Sequence, residues 1–206
     1  REGRWVHDIS GLLPLIAEGG TRRFAFHTIQ KYDVTLKLRF FNSGKAVHPY
    51  ASVYLFNGGA FNATYNDKYT PLTIAVPSDA VRIELATVIS GHGMAMPGNC
   101  AEFCNTSHGF SVNGNENIIS FTQAGTNQGC MDMIEQGTIP NQYGTWWYGR
   151  SGWCPGKDVP LVMTDITDQV IPGADNVFEY SGLYNDAPYT VDGAEIRLES
   201  WLVFSK

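Results

Sequence analysis

Glu102 stands midway between two cysteines, Cys100 and Cys104. A disulfide across them would make that loop very small and stiff and would hold the carboxylate in one direction, as a catalytic or ligand-orienting acid requires. The ordinary alternative is a solvated loop glutamate, the commoner fate of this residue type. His92 lies in Ser90-Gly91-His92-Gly93, directly after a strong strand candidate at 81–89. Glycine on both sides lets the backbone turn sharply and approach a neighbour closely. Its imidazole could serve as an acid–base group, a donor to a ligand or a metal ligand, or could simply anchor its loop. Trp146, Trp147 and Trp153 gather with Tyr143, Tyr148 and Arg150 in a glycine-rich stretch, 144–156. Such aromatics stack on the apolar faces of sugar rings, and an arginine orients a carboxylate by bidentate hydrogen bonding. Trp153, beside Cys154, fits core packing better than a ligand platform.

The four cysteines fall into two local pairs, Cys100 with Cys104 and Cys130 with Cys154. Zinc sites use closely spaced chelating pairs, whereas here the first spacing is Cys100-Ala101-Glu102-Phe103-Cys104 and the other two cysteines stand alone, so two disulfides fit better than a metal. Disulfides imply an oxidising compartment: secreted, extracellular or periplasmic. Two glycosylation sequons, at Asn62 and Asn105, fit that route weakly, since such triplets arise by chance. Met94 and Met96 near His92, with His7, His27, His48 and His108 elsewhere, supply soft ligands for a copper site, but no two histidines are spaced as a chelating pair.

These residues need a scaffold, and the composition points to strands. Charged residues make up 17% and aromatics 13%, with 22 glycines and 10 prolines, a mixture suited to short strands and many turns. Alternating segments occur at 22–28, 33–41, 51–57, 72–76, 80–89, 109–113, 118–122, 160–164, 176–181 and 194–204. Turn signals separate them, among them Asn57-Gly58-Gly59, Asn113-Gly114 and Asp192-Gly193, and no amphipathic window is long enough for a major helix. An all-β antiparallel jelly-roll sandwich of eight to ten strands follows, with disulfide-stapled long loops and one domain across 1–206. The stretch 90–155 holds both cysteine pairs and little alternation, and long loops on a sandwich carry function.

One internal echo is visible. His7-Asp8-Ile9-Ser10 leads through Pro14 to Arg23-Phe24-Ala25-Phe26, and Thr164-Asp165-Ile166-Thr167 leads through Pro172 to Val177-Phe178-Glu179-Tyr180. A structural crossover used twice explains it better than a binding repeat.

A formal net charge of −6 without a Lys/Arg cluster argues against nucleic acid. No apolar run has the length of a membrane-spanning helix, so no membrane insertion is expected. The first residues lack the apolar stretch of a signal peptide, as a mature or excised piece would.

In order, Thr87 to Gly93, Cys100-Ala101-Glu102-Phe103-Cys104, Asn113-Gly114, Gly129-Cys130 and Arg150-Ser151-Gly152-Trp153-Cys154-Pro155-Gly156 resemble the motif series of the peptide-N-glycosidase F C-terminal domain. That resemblance implies a fold of two adjacent eight-stranded jelly rolls, similar to those of copper-dependent peptidylglycine hydroxylases but without the metal, with the active site in the cleft between them. Glu102 then matches the family's second active-site acid and Arg150 the arginine that hydrogen-bonds the carboxylates of the cleft. The principal catalytic aspartate belongs to the N-terminal jelly roll, which this reading finds absent from the chain. The implied function is the C-terminal half of an amidase that cleaves the glycan–asparagine amide when a companion jelly roll supplies the aspartate. His92, Trp146 and Trp147 would bind the N-linked glycan or glycoprotein, and no cofactor is implied. The competing readings are a non-catalytic glycan-binding or assembly module at a cell surface and, third, a copper monooxygenase-like domain.

Overall fold

The structure is a computed structural model and describes residues 3–28, 31–42, 44–140 and 142–206. Its strands are β1 (Pro49–Ala60), β2 (Leu72–Ala75), β3 (Arg82–His92), β4 (Met94–Ala95), β5 (Cys100–Ala101), β6 (Thr106–Val112), β7 (Asn115–Ser120), β8 (Val162–Asp165), β9 (Asp175–Tyr184) and β10 (Glu195–Ser205). They form two antiparallel four-stranded sheets, ordered β1-β10-β3-β8 and β2-β9-β6-β7, with β4 and β5 as a separate short ribbon. This is the expected all-β sandwich, and its two-sheet layering is consistent with a jelly roll.

Alternation explains the inner faces. Along β10, Ile196, Leu198, Leu202 and Phe204 are buried, and along β9 Phe178 and Tyr180 face the same core. Phe56 from one sheet stacks on Tyr180 from the other at 5.7 Å and lies 6.5 Å from Phe110, so aromatic contacts join the two layers. β3 is different: paired with β10 on one side and β8 on the other, it is buried along most of its length on both faces. It therefore carries its last residues, Ser90 to His92, rigidly to one end of the sandwich.

Two expectations change and a third holds. Residues 22–28 and 33–41 alternate like strands but form none, because among the described residues no ladder hydrogen bond joins them to either sheet. Asn57-Gly58-Gly59 is no turn. It is a register shift inside β1, where a side chain on Gly58 would lie 2.0 Å from the Ile196 carbonyl oxygen. Asn113-Gly114 does close the β6–β7 hairpin, with φ of +49° and +84°, as a primed turn demands.

One buried polar chain runs through the core. His108 is fully buried, its Nδ1 2.7 Å from the Tyr180 hydroxyl and its Nε2 3.0 Å from Thr106 Oγ1, and Tyr180 reaches Tyr65 at 2.9 Å. Burial pushes the His108 pKa down to about 3. In the unfolded chain the ring takes a proton near its ordinary value of about 6.5, so between these limits the unfolded state binds the extra proton. Stability is therefore full above that range and declines as pH falls through it. Acidification from pH 7 to 4.5 should cost roughly 2–3 kcal/mol through this residue, read from urea midpoints at the two pH values. A His108→Phe variant should show a shallower slope, and an unchanged slope would remove His108 as its source.

Candidate active site

Three separated segments meet at the end of β3. The Gly91 amide donates to the Ser151 carbonyl at 2.9 Å, the Ser151 amide to the Glu102 carbonyl at 2.9 Å, and the Glu102 amide to the Gly93 carbonyl at 3.0 Å. Ser151 Oγ also donates to the Cys104 carbonyl. Both expected disulfides are formed, Cys100–Cys104 and Cys130–Cys154. Among the described residues, no three His, Cys, Asp or Glu side chains converge as metal ligands. Glu102 thus sits in a five-residue disulfide loop whose backbone is bonded on both sides.

The glycines flanking His92 do what their type suggests. A Cβ on Gly91 would lie 2.1 Å from the Ala101 carbonyl oxygen and 2.9 Å from Ser151 Cβ, and Gly93 holds φ +91° against the Gly193 carbonyl. Gly91→Ala would push β3 away from both the Glu102 and Arg150 loops. The expected loss is about 2–3 kcal/mol of unfolding free energy, measurable by denaturant titration. A loss under about 0.5 kcal/mol would show that the segments need not touch so closely.

Arg150 is the hub. Its side chain is fully buried, with Nε donating to Glu102 Oε1 at 2.9 Å. Nη1 reaches the carbonyls of Tyr148 at 3.1 Å and Trp146 at 3.4 Å, and Nη2 reaches the Thr145 carbonyl at 3.1 Å and its Oγ1 at 3.3 Å. The guanidinium is sandwiched between Phe103 at 4.9 Å and Trp153 at 5.0 Å. A guanidinium has five N–H groups, and here each nitrogen already faces acceptors of this chain. The bidentate grip on a carboxylate expected from the sequence is therefore a single bond to Glu102, with the remaining donors spent on loop carbonyls. Glu102 has its side chain 12% exposed, and its Oε2 has no hydrogen-bond partner among the described residues.

His92 lies beside this pair. Its ring stacks on Trp153 at 5.3 Å, with Nε2 2.9 Å from Ser90 Oγ, and the Trp153 indole donates to the Gly91 carbonyl at 2.8 Å. Partial burial, reinforced by the positive charge of Arg197, pulls the His92 pKa to about 4, against a smaller opposing effect of Glu195. At neutral pH the ring is uncharged, fitted to hydrogen-bond rather than to carry a proton. Trp146 and Trp147, in edge contact at 6.0 Å, belong to the loop whose carbonyls Arg150 binds, and Tyr143 beside them is fully exposed. The loop is anchored at its other side by the Cys130 amide donating to the Trp147 carbonyl at 3.0 Å.

The structure thus brings Glu102, Arg150, His92 and Trp153 together, with Trp146 and Trp147 on the adjoining loop. The sequon asparagines are held separately. Asn62 donates to Asp192 Oδ1 at 2.8 Å and accepts from the Thr64 amide at 3.1 Å, while Asn105 accepts from the Phe121 amide at 2.8 Å. Three participants escaped the sequence reading. Phe103 had a visible signal, being next to Glu102 in the cysteine loop; Ser151 and the Thr145 carbonyl had none, since backbone acceptors leave no trace in residue type.

The family profile described as peptide-N-glycosidase F, C terminal, matches residues 60–205. The peptide-N(4)-(N-acetyl-beta-D-glucosaminyl)asparagine amidase F of Elizabethkingia miricola is 31% identical over 131 residues, covering 57% of this chain and 35% of that protein. The chain spans about a third of the length of that curated relative. Among solved structures, a crystal structure titled peptide-N(4)-(N-acetyl-beta-D-glucosaminyl) asparagine amidase aligns with a TM-score of 0.55 at 24% identity, over 76% of this chain and 52% of its own. The glycosylasparaginase PNGase F from Flavobacterium meningosepticum aligns with a TM-score of 0.54 at 22% identity, over 75% and 51%. Identities this low speak for the shared fold alone.

Proposed function

Since the chain belongs to the family of the peptide-N-glycosidase F C-terminal domain, we propose that it forms the C-terminal half of an amidase acting on the bond between an N-glycan and asparagine. The observation that carries this reading is the Glu102–Arg150 pair, in which a buried cation fixes one carboxylate oxygen and leaves the other unengaged at the end of β3. In the reaction, water adds to the asparagine side-chain amide carbon and the carbon–nitrogen bond breaks. The glycosylamine leaves and the asparagine becomes aspartate. Glu102 orients that water or the first N-acetylglucosamine through Oε2. Arg150 is a positioning residue, acting through Glu102. Neutral His92 offers a hydrogen bond to the glycan, and Trp146 and Trp147 offer ring faces. A companion jelly roll supplies the principal aspartate, and the protein works in an oxidising, extracellular or periplasmic setting where its two disulfides persist.

The test is to incubate the chain, alone and with a companion jelly roll, with a denatured N-glycoprotein and follow asparagine-to-aspartate conversion by mass spectrometry. Conversion with the companion supports the amidase; none in a correctly folded complex removes it. The second reading, a glycan-binding module without catalysis, is favoured by the exposed Tyr143 beside Trp146 and Trp147. Glycan-array binding in the absence of conversion would select it.

A further inference from the structure

We propose that the cavity beside the first residues of β3 binds a neutral sugar ring through Arg82, Asp165 and Asp168. β3 runs from Arg82 to His92, and at about 3.3 Å per residue its two ends lie roughly 33 Å apart. The cavity is therefore separate from the candidate site at the far end of that strand, and the inference does not rest on the amidase reading.

Strand pairing assembles its polar wall. Alternation along β3 puts Arg82 and Glu84 on one face, opposite the buried Ile83 and Leu85, and the β3–β8 register sets Asp165 across from Glu84. Just past β8 the chain turns at the buried Ile166 into a 3-10 turn, Thr167–Gln169. Asp165 holds that turn, its Oδ1 accepting from the Thr167 amide at 3.0 Å and its hydroxyl at 2.6 Å. Between the two segments lies a cavity of about 630 Å³, flanked also by Val47, Val81, Asp168 and Gln169. Small-molecule sites ordinarily measure about 300–1,000 Å³.

Part of this wall is committed elsewhere, and what remains has a definite chemistry. Arg82 Nη2 donates to Glu84 Oε1 at 2.6 Å, and Glu84 is buried, so one corner of the guanidinium is anchored. Thr167 Oγ1 accepts from the Ile83 amide at 3.0 Å besides donating to Asp165, and the Gln169 side chain is locked in a reciprocal pair with Asn117. Arg82 Nε and Nη1, Asp165 Oδ2 and the Asp168 carboxylate have no hydrogen-bond partner among the described residues. Arg82 Nε lies 3.7 Å from Asp165 Oδ2, too far for a hydrogen bond. A hydroxyl group bridges such a gap, since it accepts from the one and donates to the other.

The same inventory selects the class of ligand. An ammonium group only donates, so it would leave the unused Arg82 N–H groups unmet; a carboxylate or sulfate only accepts, so it would face Asp165 Oδ2 and Asp168. An apolar ligand would satisfy neither set. Hydroxyl groups serve both. Val47 and Val81, 42% and 60% exposed, add an apolar flank beside the polar one. Adjacent hydroxyls along one edge and a C–H face on the other are the make-up of a neutral pyranose.

The experiment is an NMR titration of the isotope-labelled 206-residue chain with free mannose, galactose and N-acetylglucosamine, and with calcium chloride and sodium sulfate as charged probes. At least one sugar should shift the amides of Val81, Arg82, Thr167 and Asp168 saturably, with a Kd on the order of 1 mM, while the charged probes leave them in place. Asp165→Asn keeps an Oδ1 acceptor for the 3-10 turn and replaces the free oxygen by a donor, so it should weaken that sugar about 10-fold or more. Arg82→Gln should do the same, with unchanged amide shifts along β9 and β10 reporting that both variants are folded. No saturable shift at the cavity, shifts with calcium or sulfate alone, or undiminished sugar affinity in either variant would overturn the proposal. Shifts confined to His92 and Glu102 would overturn it too, placing sugar binding at the candidate site alone. Sugar binding at the cavity in a protein that converts no asparagine would uphold it and remove the amidase reading instead.

Discussion

Arg150→Lys is expected to lower the unfolding free energy by about 3–5 kcal/mol, because several buried acceptors lose their donor at about 1–3 kcal/mol for each one left unsatisfied. Lysine keeps the positive charge but concentrates its donors on one nitrogen. It cannot meet Glu102 on one side and the carbonyls of Thr145, Trp146 and Tyr148 on the other, nor lie flat between Phe103 and Trp153. The abandoned carbonyls of Trp146 and Tyr148 and the carboxylate of Glu102 are what cost free energy, since the guanidinium is their hydrogen-bond partner in the folded chain. Urea unfolding should show a lower midpoint with an unchanged slope. A double-mutant cycle with Glu102→Gln separates the two contributions: the carboxylate share of the loss should disappear in the double variant, while the loss due to the loop carbonyls should remain. A shift below about 1 kcal/mol for Arg150→Lys would mean that the tryptophan loop is held by the Cys130–Cys154 bridge and its flanking hydrogen bonds rather than by this residue.

Glu102→Gln is expected to reduce asparagine-to-aspartate conversion by about 100-fold or more in the complete two-jelly-roll protein, the usual contribution of a positioned acid–base or water-orienting group. The amide is nearly isosteric, and its oxygen can still accept from Arg150 Nε. The fold should survive at reduced stability, since Arg150 loses its counter-charge, and the disulfide loop should keep its shape. The two roles open to Oε2 separate in the kinetics. Loss of water orientation lowers kcat with KM unchanged, whereas loss of a contact to the first N-acetylglucosamine made equally in ground and transition states raises KM. Full activity in a correctly folded variant would remove Glu102 from the chemistry and leave it as the partner that neutralises Arg150.

Much of the scaffold was legible because it depends on short-range pattern. The alternation at 194–204 and 176–181 is that of β10 and β9, and the hairpin signal Asn113-Gly114 closes β6 onto β7. The cysteine pairs were legible for a related reason: each closes a loop short enough for sequence neighbours to be spatial ones. Residues 22–28 and 33–41 carry the same alternation yet form no strand here. Periodicity states that a segment has two faces, but a strand exists only where another backbone completes its ladder.

The candidate site divides along the same line. The amino-acid sequence by itself determined which side chains could serve, placing Glu102 in a stiff cysteine loop and His92 between glycines, and determined the family to which they belong. Only the tertiary structure decided that Arg150 spends its donors inside the chain, that Trp153 lies against both Arg150 and His92, and that one oxygen of Glu102 stays free. The reason is physical. Residue type and spacing govern local conformation and the hydrophobic faces, whereas the partners of a buried guanidinium are mostly backbone carbonyls, which every residue carries alike and which only the folded chain brings to one place.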